Sequence, residues 1–152
     1  MKEENSYEQI RSLFTGYMTD CKLRKTPERY AILECIYHFT GHFNAEMIYQ
    51  KLVVNFRVSL ATVYNTFEHL ETCKLIIRHQ FGGKLTQYEK AFGTQIHNHL
   101  VCTQCKNIKE FTDKQLRIAI QTKTFSKFDI SHYSLYVYGT CSKCKEKIVS
   151  IQ

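Results

Sequence analysis

The sequence predicts an α+β protein of two unequal parts: a helical N-terminal part that ends in a β-hairpin, and a smaller part of short strands, one helix and clustered cysteines. Three observations carry this expectation. Apolar residues between positions 26 and 72 recur at helical spacing, Gly82-Gly83 separates two extended runs, and CxxC pairs stand at 102 and 141. A chain of 152 residues that is 43% apolar can build one compact domain or two small ones, and its 13% aromatic content argues against a disordered composition.

The first predicted helix covers residues 26–40, TPERYAILECIYHFT, with Thr26 as N-cap, Pro27 at the first helical position, and Ile32, Ile36 and Phe39 on one face. A second, at about 44–54, is capped by Asn44 and buries Ala45, Ile48 and Leu52. A third begins after Ser59 and carries the stripe Leu60, Val63, Phe67, Leu70 to about residue 72. The short connection before it predicts a helix-turn-helix. The runs LIIRHQF and KLTQYEK then flank the Gly-Gly turn as two strands, where a wing would lie. Helices followed by a two-stranded wing form a winged-helix arrangement, although an unrelated helical domain with a hairpin shares the coarse pattern.

The stretch AFGTQ has no periodicity, so residues 1–90 are expected to form one domain, 91–95 a hinge, and 96–152 a second domain of α/β type. The second should hold short strands around Leu100 and Ile108, a helix at about 112–124, and a long extended run from Phe128 to Tyr138. In that run Phe128, Ile130, Tyr136 and Tyr138 share one parity and Tyr133, Leu135 and Val137 the other, so both faces want cover. A domain of about 55 residues barely covers two faces alone, which predicts pairing with a second copy of the chain.

The formal charge of +7 permits contact with nucleic acid without establishing it. Residues 1–20 are acidic, and the local run Lys22, Arg24, Lys25, Arg29 stands out, with a solvated helix entry as its bland reading. No apolar run approaches the roughly 18 to 20 residues of a membrane span. The start MKEENSYEQIRS has no apolar core of a signal peptide. A cytoplasmic protein with no membrane partner is expected. Seven cysteines, an odd set without a secretion signal, favour metal ligation or burial over disulfides.

Cys102-Thr103-Gln104-Cys105 and Cys141-Ser142-Lys143-Cys144 form two knuckles separated by 35 residues. Each turn presents two thiolates, and two turns supply the tetrahedral shell that zinc accepts. Buried reduced cysteines and a thioredoxin-like redox pair are the alternatives. Cys21, Cys35 and Cys73 read as small buried apolar residues. His97 and His99, two apart on a strand, can point at one ion, to which Glu89 and Glu110 could add carboxylate oxygens. His42 lies in the loop before the second helix, where spacing cannot place it. A mixed nitrogen and oxygen shell suits Fe(II), Mn(II), Co(II) or Zn(II). His38, His69, His79 and His132 read as surface or hydrogen-bonded core histidines. On the helix after Ser59, Thr62, Asn65, Thr66 and His69 lie opposite the apolar stripe, with Tyr64 beside them. In a major groove Asn can pair bidentately with adenine, and a Thr methyl or Tyr ring can meet a thymine methyl. A solvated helix face is the alternative.

Taken together, TPERYAIL, HFNAEMIYQKL, SLATVYNTFEHLE, FGGKLTQYE, HNHLVCTQCKNIKEF and SLYVYGTCSKC resemble the ferric uptake regulator (Fur) family over about residues 20–146. The resemblance implies a homodimeric, metal-dependent transcription regulator, not an enzyme, with a winged-helix DNA-binding domain and a C-terminal dimerisation domain. By the family pattern Cys102, Cys105, Cys141 and Cys144 look like the structural zinc ligands. His42, Glu89, His97, His99 and Glu110 match the regulatory site that bridges the two domains, Tyr64 the recognition-helix tyrosine, and Arg24 a basic residue that enters the minor groove. With Ser59, Thr62 and Asn65 these make the expected DNA-binding set, directed at a pseudo-palindromic duplex operator. Metal bound by all five regulatory ligands would favour one interdomain angle, and going from mostly open to mostly closed takes a differential affinity of about 5 kcal/mol.

The chain departs from the family in places. A further metal site of many members appears here as Ile96, Asn98, Arg117 and Tyr133, and is expected to be absent. Asn65 stands where iron-uptake members usually carry arginine and peroxide sensors asparagine, whereas Glu89 and Glu110 stand where peroxide sensors place aspartates. Coordination decides the signal, so an Fe(II)-responsive repressor of iron uptake is expected, with Mn(II) or Zn(II) as other regulatory ions and a peroxide-sensing repressor as the alternative. A zinc enzyme would need an open coordination position that five protein ligands fill. A thiol oxidoreductase would need reactive thiols.

Overall fold

The computed structural model describes residues 2–82, 86–92, 97–130 and 132–149, in the order helices, hairpin, then a mixed sheet and helices. Gly83 in the wing turn, and Ile96 with most of the expected hinge, lie outside the described residues. The chain divides into two compact units, Met1–Gln80 with Lys84–Thr94, and Phe81–Gly83 with Gln95–Gln152.

The first unit opens with a helix that sequence reasoning passed over, α1 (Lys2–Asp20). Its apolar positions Ile10, Phe14 and Met18 form a stripe one side chain wide, too sparse to stand out, yet all three are buried. The next helix, α2 (Pro27–His38), starts where Pro27 needs no N–H partner; Thr26 adopts the extended cap conformation but its side chain makes no capping bond. The third, α3 (Ala45–Val53), starts at Asn44, whose Oδ1 accepts the Met47 N–H at 2.8 Å. Ser59 Oγ accepts the Thr62 N–H at 3.1 Å and so begins α4 (Leu60–Thr72). Phe14, Ile32, Phe43, Ile48, Val63, Phe67 and Leu70 are fully buried where these helices meet. At the end of α4 Lys74 turns left-handed at φ 59°, the Leu75 N–H reaches Leu70 O at 2.8 Å, and both leucines are buried, a Schellman termination that delivers the chain into the hairpin.

That hairpin pairs β1 (Ile76–His79) with β2 (Gln87–Lys90) in antiparallel register, Ile77 opposite Glu89. A bridge between Phe43 and Tyr88, with N–H···O bonds of 2.9 and 2.7 Å, ties the segment before α3 to β2.

In the second unit β3 (Asn98–Cys102) is the central strand, antiparallel to β4 (Ile108–Phe111) and parallel to β5 (Tyr136–Gly139). Between β4 and β5 lies α5 (Lys114–Gln121), capped by Asp113. Among the described residues of the extended run expected from Phe128 to Tyr138, strand forms only from Tyr136, where β5 pairs with the four residues His99–Cys102 of β3. Earlier in that run Phe128 instead forms an isolated bridge with Phe125, closed by Lys127 at φ 59°. The polar segment Ser142–Val149, for which no element was expected, is helix α6. Buried apolar side chains of this unit, among the described residues, are Phe81, Val101 and Cys102. Leu100, Val137, Tyr138, Phe125, Phe128 and Ile130 are exposed in the single chain.

Candidate metal centres and nucleic-acid interface

The parallel pairing of β3 with β5 sets Cys102 level with Gly139, and so brings the turn after each strand to the same end of the sheet. Lys106, left-handed at φ 62°, reverses the first turn, and the Cys144 N–H bonds back to Cys141 O at 3.1 Å in the second. The sulfurs of Cys102, Cys105, Cys141 and Cys144 all lie within 4.8 Å of one another, with Cys105 and Cys141 3.7 Å apart. A tetrahedral zinc with bonds of about 2.3 Å requires sulfurs about 3.8 Å apart, so the residues fit that ion.

The electrostatics agree. Backbone N–H groups of Cys105 and Cys141 stabilise the Cys102 thiolate and draw its pKa down to about 6, the second of these donating to Sγ at 3.4 Å. The neighbouring sulfurs of Cys141 and Cys105 push Cys144 up to about 12. Four sulfurs this close ionise together only around a cation. Of the remaining cysteines, Cys35 and Cys73 are half-buried, whereas Cys21, expected to be buried, is exposed at the end of α1. Burial pushes the Cys73 thiol up to about 11.

The nitrogen and oxygen donors fall into two groups, one in each unit. In the first, the Phe43–Tyr88 bridge sets His42 beside Glu89, with His42 Nε2 3.5 Å from Oε2. On the paired strand, fully buried His79 places Nε2 3.0 Å from the other carboxylate oxygen, Oε1. Sequence reasoning set His79 aside as an ordinary histidine; the signal that could have found it is its place two register steps from Glu89 on the facing strand. In the second unit the rings of His97 and His99 are 4.8 Å apart, Glu110 pairs with His99 across the β3–β4 ladder, and its Oε1 is 3.8 Å from His97 Nε2. His99 is buried and stacks on Tyr136, with Phe81 tilted against it. Imidazole and carboxylate donors of this kind suit a borderline divalent cation.

Four residues expected to face DNA, Arg24, Ser59, Thr62 and Asn65, line a concavity of about 690 Å³ together with Arg29 and Arg57. Tyr64 is exposed but lies outside it; its hydroxyl donates to the Glu46 carboxylate. Two residues assigned to the exposed face do not belong there. Thr66 is fully buried, because 63, 66, 67 and 70 make one helical stripe, and its hydroxyl donates to Thr62 O at 2.7 Å. His69 is half-buried against Tyr17, 3.3 Å from its hydroxyl. Arg29, hidden within the basic run, donates to Asn65 Oδ1 at 2.9 Å.

Among the described residues no helix is long and apolar enough to cross a membrane. Residues 20–138 match the ferric uptake regulator family. A peroxide-responsive repressor, PerR, of Staphylococcus aureus strain Mu50 is 32% identical over 127 residues, covering 82% of this chain and 84% of that protein. Among solved structures, the ferric uptake regulator from Pseudomonas aeruginosa with manganese superposes with a TM-score of 0.71 at 26% identity, covering 84% of this chain and 97% of that one. The Vibrio cholerae ferric uptake regulator gives 0.58 at 32% identity, covering 82% and 96%. The chain therefore belongs to the ferric uptake regulator family of metal-dependent transcription regulators and is not an enzyme.

Proposed function

We propose that the chain is a homodimeric repressor that binds a pseudo-palindromic operator when Fe(II) occupies His42, Glu89, His97, His99 and Glu110, while zinc held by Cys102, Cys105, Cys141 and Cys144 maintains its fold. The observation that carries this is the presence of donors of different softness: four clustered sulfurs in the second unit, and paired imidazole and carboxylate donors within each unit. The soft set suits a permanent structural ion and the harder set an exchangeable one. In this reading the first unit is a winged-helix reader with α4 as recognition helix, and the second joins two copies through its exposed apolar strands. An ion that takes donors from both units restricts the hinge, and a restricted hinge lets a dimer present two recognition helices at one helical repeat of DNA. The manganese-bound Pseudomonas aeruginosa relative supports the reading.

The test is metal analysis of anaerobically purified protein, followed by duplex binding with and without Fe(II). One retained zinc per chain and Fe(II)-dependent binding are expected; binding indifferent to Fe(II), Mn(II) and Zn(II) would sink the proposal. A peroxide-sensing repressor is the second reading, favoured by Asn65 and by the Staphylococcus aureus relative. Glutamates at 89 and 110, one methylene longer than the aspartates of that subtype, favour iron sensing. Mass spectrometry of Fe(II)-loaded protein after a brief, low peroxide dose separates the two. Gain of one oxygen on His42, His97 or His99 with loss of DNA binding, methionines intact, would establish peroxide sensing.

A further inference from the structure

Asn65 and Arg29 meet across α4 and α2 in a way that changes what Asn65 can read. Arg29 Nη2 donates to Asn65 Oδ1 at 2.9 Å, and Nη1 donates to the Arg24 carbonyl at 3.0 Å, so the guanidinium is held from two sides. A guanidinium has donors only, which settles the amide orientation: oxygen towards Arg29, the NH₂ on the other branch. The bidentate contact to adenine assigned to Asn65 from sequence requires Oδ1 to accept a proton from adenine N6. Here the remaining lone pair of that oxygen lies beside a full positive charge. The amino hydrogens of adenine N6 or cytosine N4, themselves partially positive, are repelled there. Acceptors are attracted, both to the free NH₂ and to the remaining N–H groups of Arg29.

We infer that Arg29 is a positioning residue that converts Asn65 from an adenine reader into a reader of keto edges, guanine first because it offers both O6 and N7, thymine second through O4. This inference rests on the operator-binding reading above and refines it. It commits to guanine or thymine on the contacted strand, where the isolated Asn side chain would favour adenine.

The experiment is selection from a random duplex library in the presence of Fe(II) under anaerobic conditions, with wild type, Asn65→Ala, Asn65→Asp and Arg29→Leu, each first checked for its melting temperature. Wild type should enrich a motif in which one column loses its preference in Asn65→Ala. That column should be guanine or thymine, preferred over adenine by roughly 5- to 100-fold. In Arg29→Leu the same column should turn to adenine, an outcome that a merely structural role for Arg29 does not produce. Asn65→Asp, which leaves Arg29 intact and presents only acceptors, should turn it to an amino base, cytosine or adenine. Adenine at that column in wild type, no column altered by Asn65→Ala, or unchanged columns in both Asn65→Asp and a folded Arg29→Leu, each overturns the inference while the regulatory reading stands. A wild-type protein that enriches no motif overturns both.

Discussion

Cys102→Ser tests what holds the second unit together. Cys102 ends the central strand, its sulfur accepts the Cys141 N–H at 3.4 Å, and it is one of four sulfurs gathered within 4.8 Å. Apart from that cysteine, the buried apolar side chains of the unit among the described residues are Phe81 and Val101. At about 1.5 to 3 kcal/mol for each buried side chain they contribute on the order of 3 to 6 kcal/mol. A structural zinc in a small domain would contribute about 10 to 16 kcal/mol, so the ion would outweigh the core even at the unfavourable ends of both ranges. The first unit has its own core, from Ile10 to Tyr88, and does not draw on the zinc. The variant should therefore lose one zinc per chain, and the β3, β4 and β5 amides should exchange with solvent as in an unfolded segment. Amides of α2 and α4 should keep their protection. Elemental analysis and native-state hydrogen exchange read both outcomes. Full retention of zinc, or loss of zinc with β3 amides still protected, would refute the reasoning.

Three further outcomes follow from the geometry. His79→Leu should weaken the regulatory metal about 10- to 100-fold in a chelator competition, since His79 holds the second oxygen of Glu89, and His79→Gln, which keeps a donor, should recover part of it; equal affinities in all three proteins would remove His79 from the site. Ser59→Ala should destabilise the first unit by about 1 kcal/mol in urea unfolding because the cap of α4 is lost, whereas Ser59→Asp should keep that stability but weaken operator binding by placing a negative charge at the concavity proposed to face DNA. A thiol pushed up to about 11 leaves roughly one part in a thousand as thiolate at pH 8, so Cys73 should alkylate far more slowly than exposed Cys21 in zinc-loaded protein, and equal labelling rates read by peptide mass spectrometry would contradict its burial.

What could be read from the sequence depended on whether the information was local. Helices α2 to α4 were legible because caps at Asn44 and Ser59 and apolar residues at helical spacing are properties of a few adjacent positions. The four knuckle cysteines were legible for the same reason. Helix α1 and helix α6 were not, since α1 buries a single narrow stripe, Ile10, Phe14 and Met18, and α6 is polar over its described side chains. The Phe128–Tyr138 alternation suggested one long extended run, but among its described residues strand begins only at Tyr136, where β3 supplies a partner. The position of His42 depends on a bridge between residues 43 and 88, that of His79 on hairpin register, and that of Arg29 on the crossing of α2 and α4. Contacts over such separations leave no periodic trace. Thr66 was misplaced because a single helical stripe is wider than the four apolar residues that announce it.

Strand β3 holds His99 and Cys102 three residues apart, with His97 just before its first residue. The two proposed metals would thus share one strand, and their occupancies would be coupled. In the proposed reading a chain without zinc would lack an ordered strand on which to aim its imidazoles, and the second ion would find a site only after the first had been loaded. Read as logic, such a protein would compute a conjunction: zinc would enable and the regulatory metal would trigger. A zinc-starved cell would then leave its target genes unrepressed whatever its iron supply, and would mistake one shortage for the other.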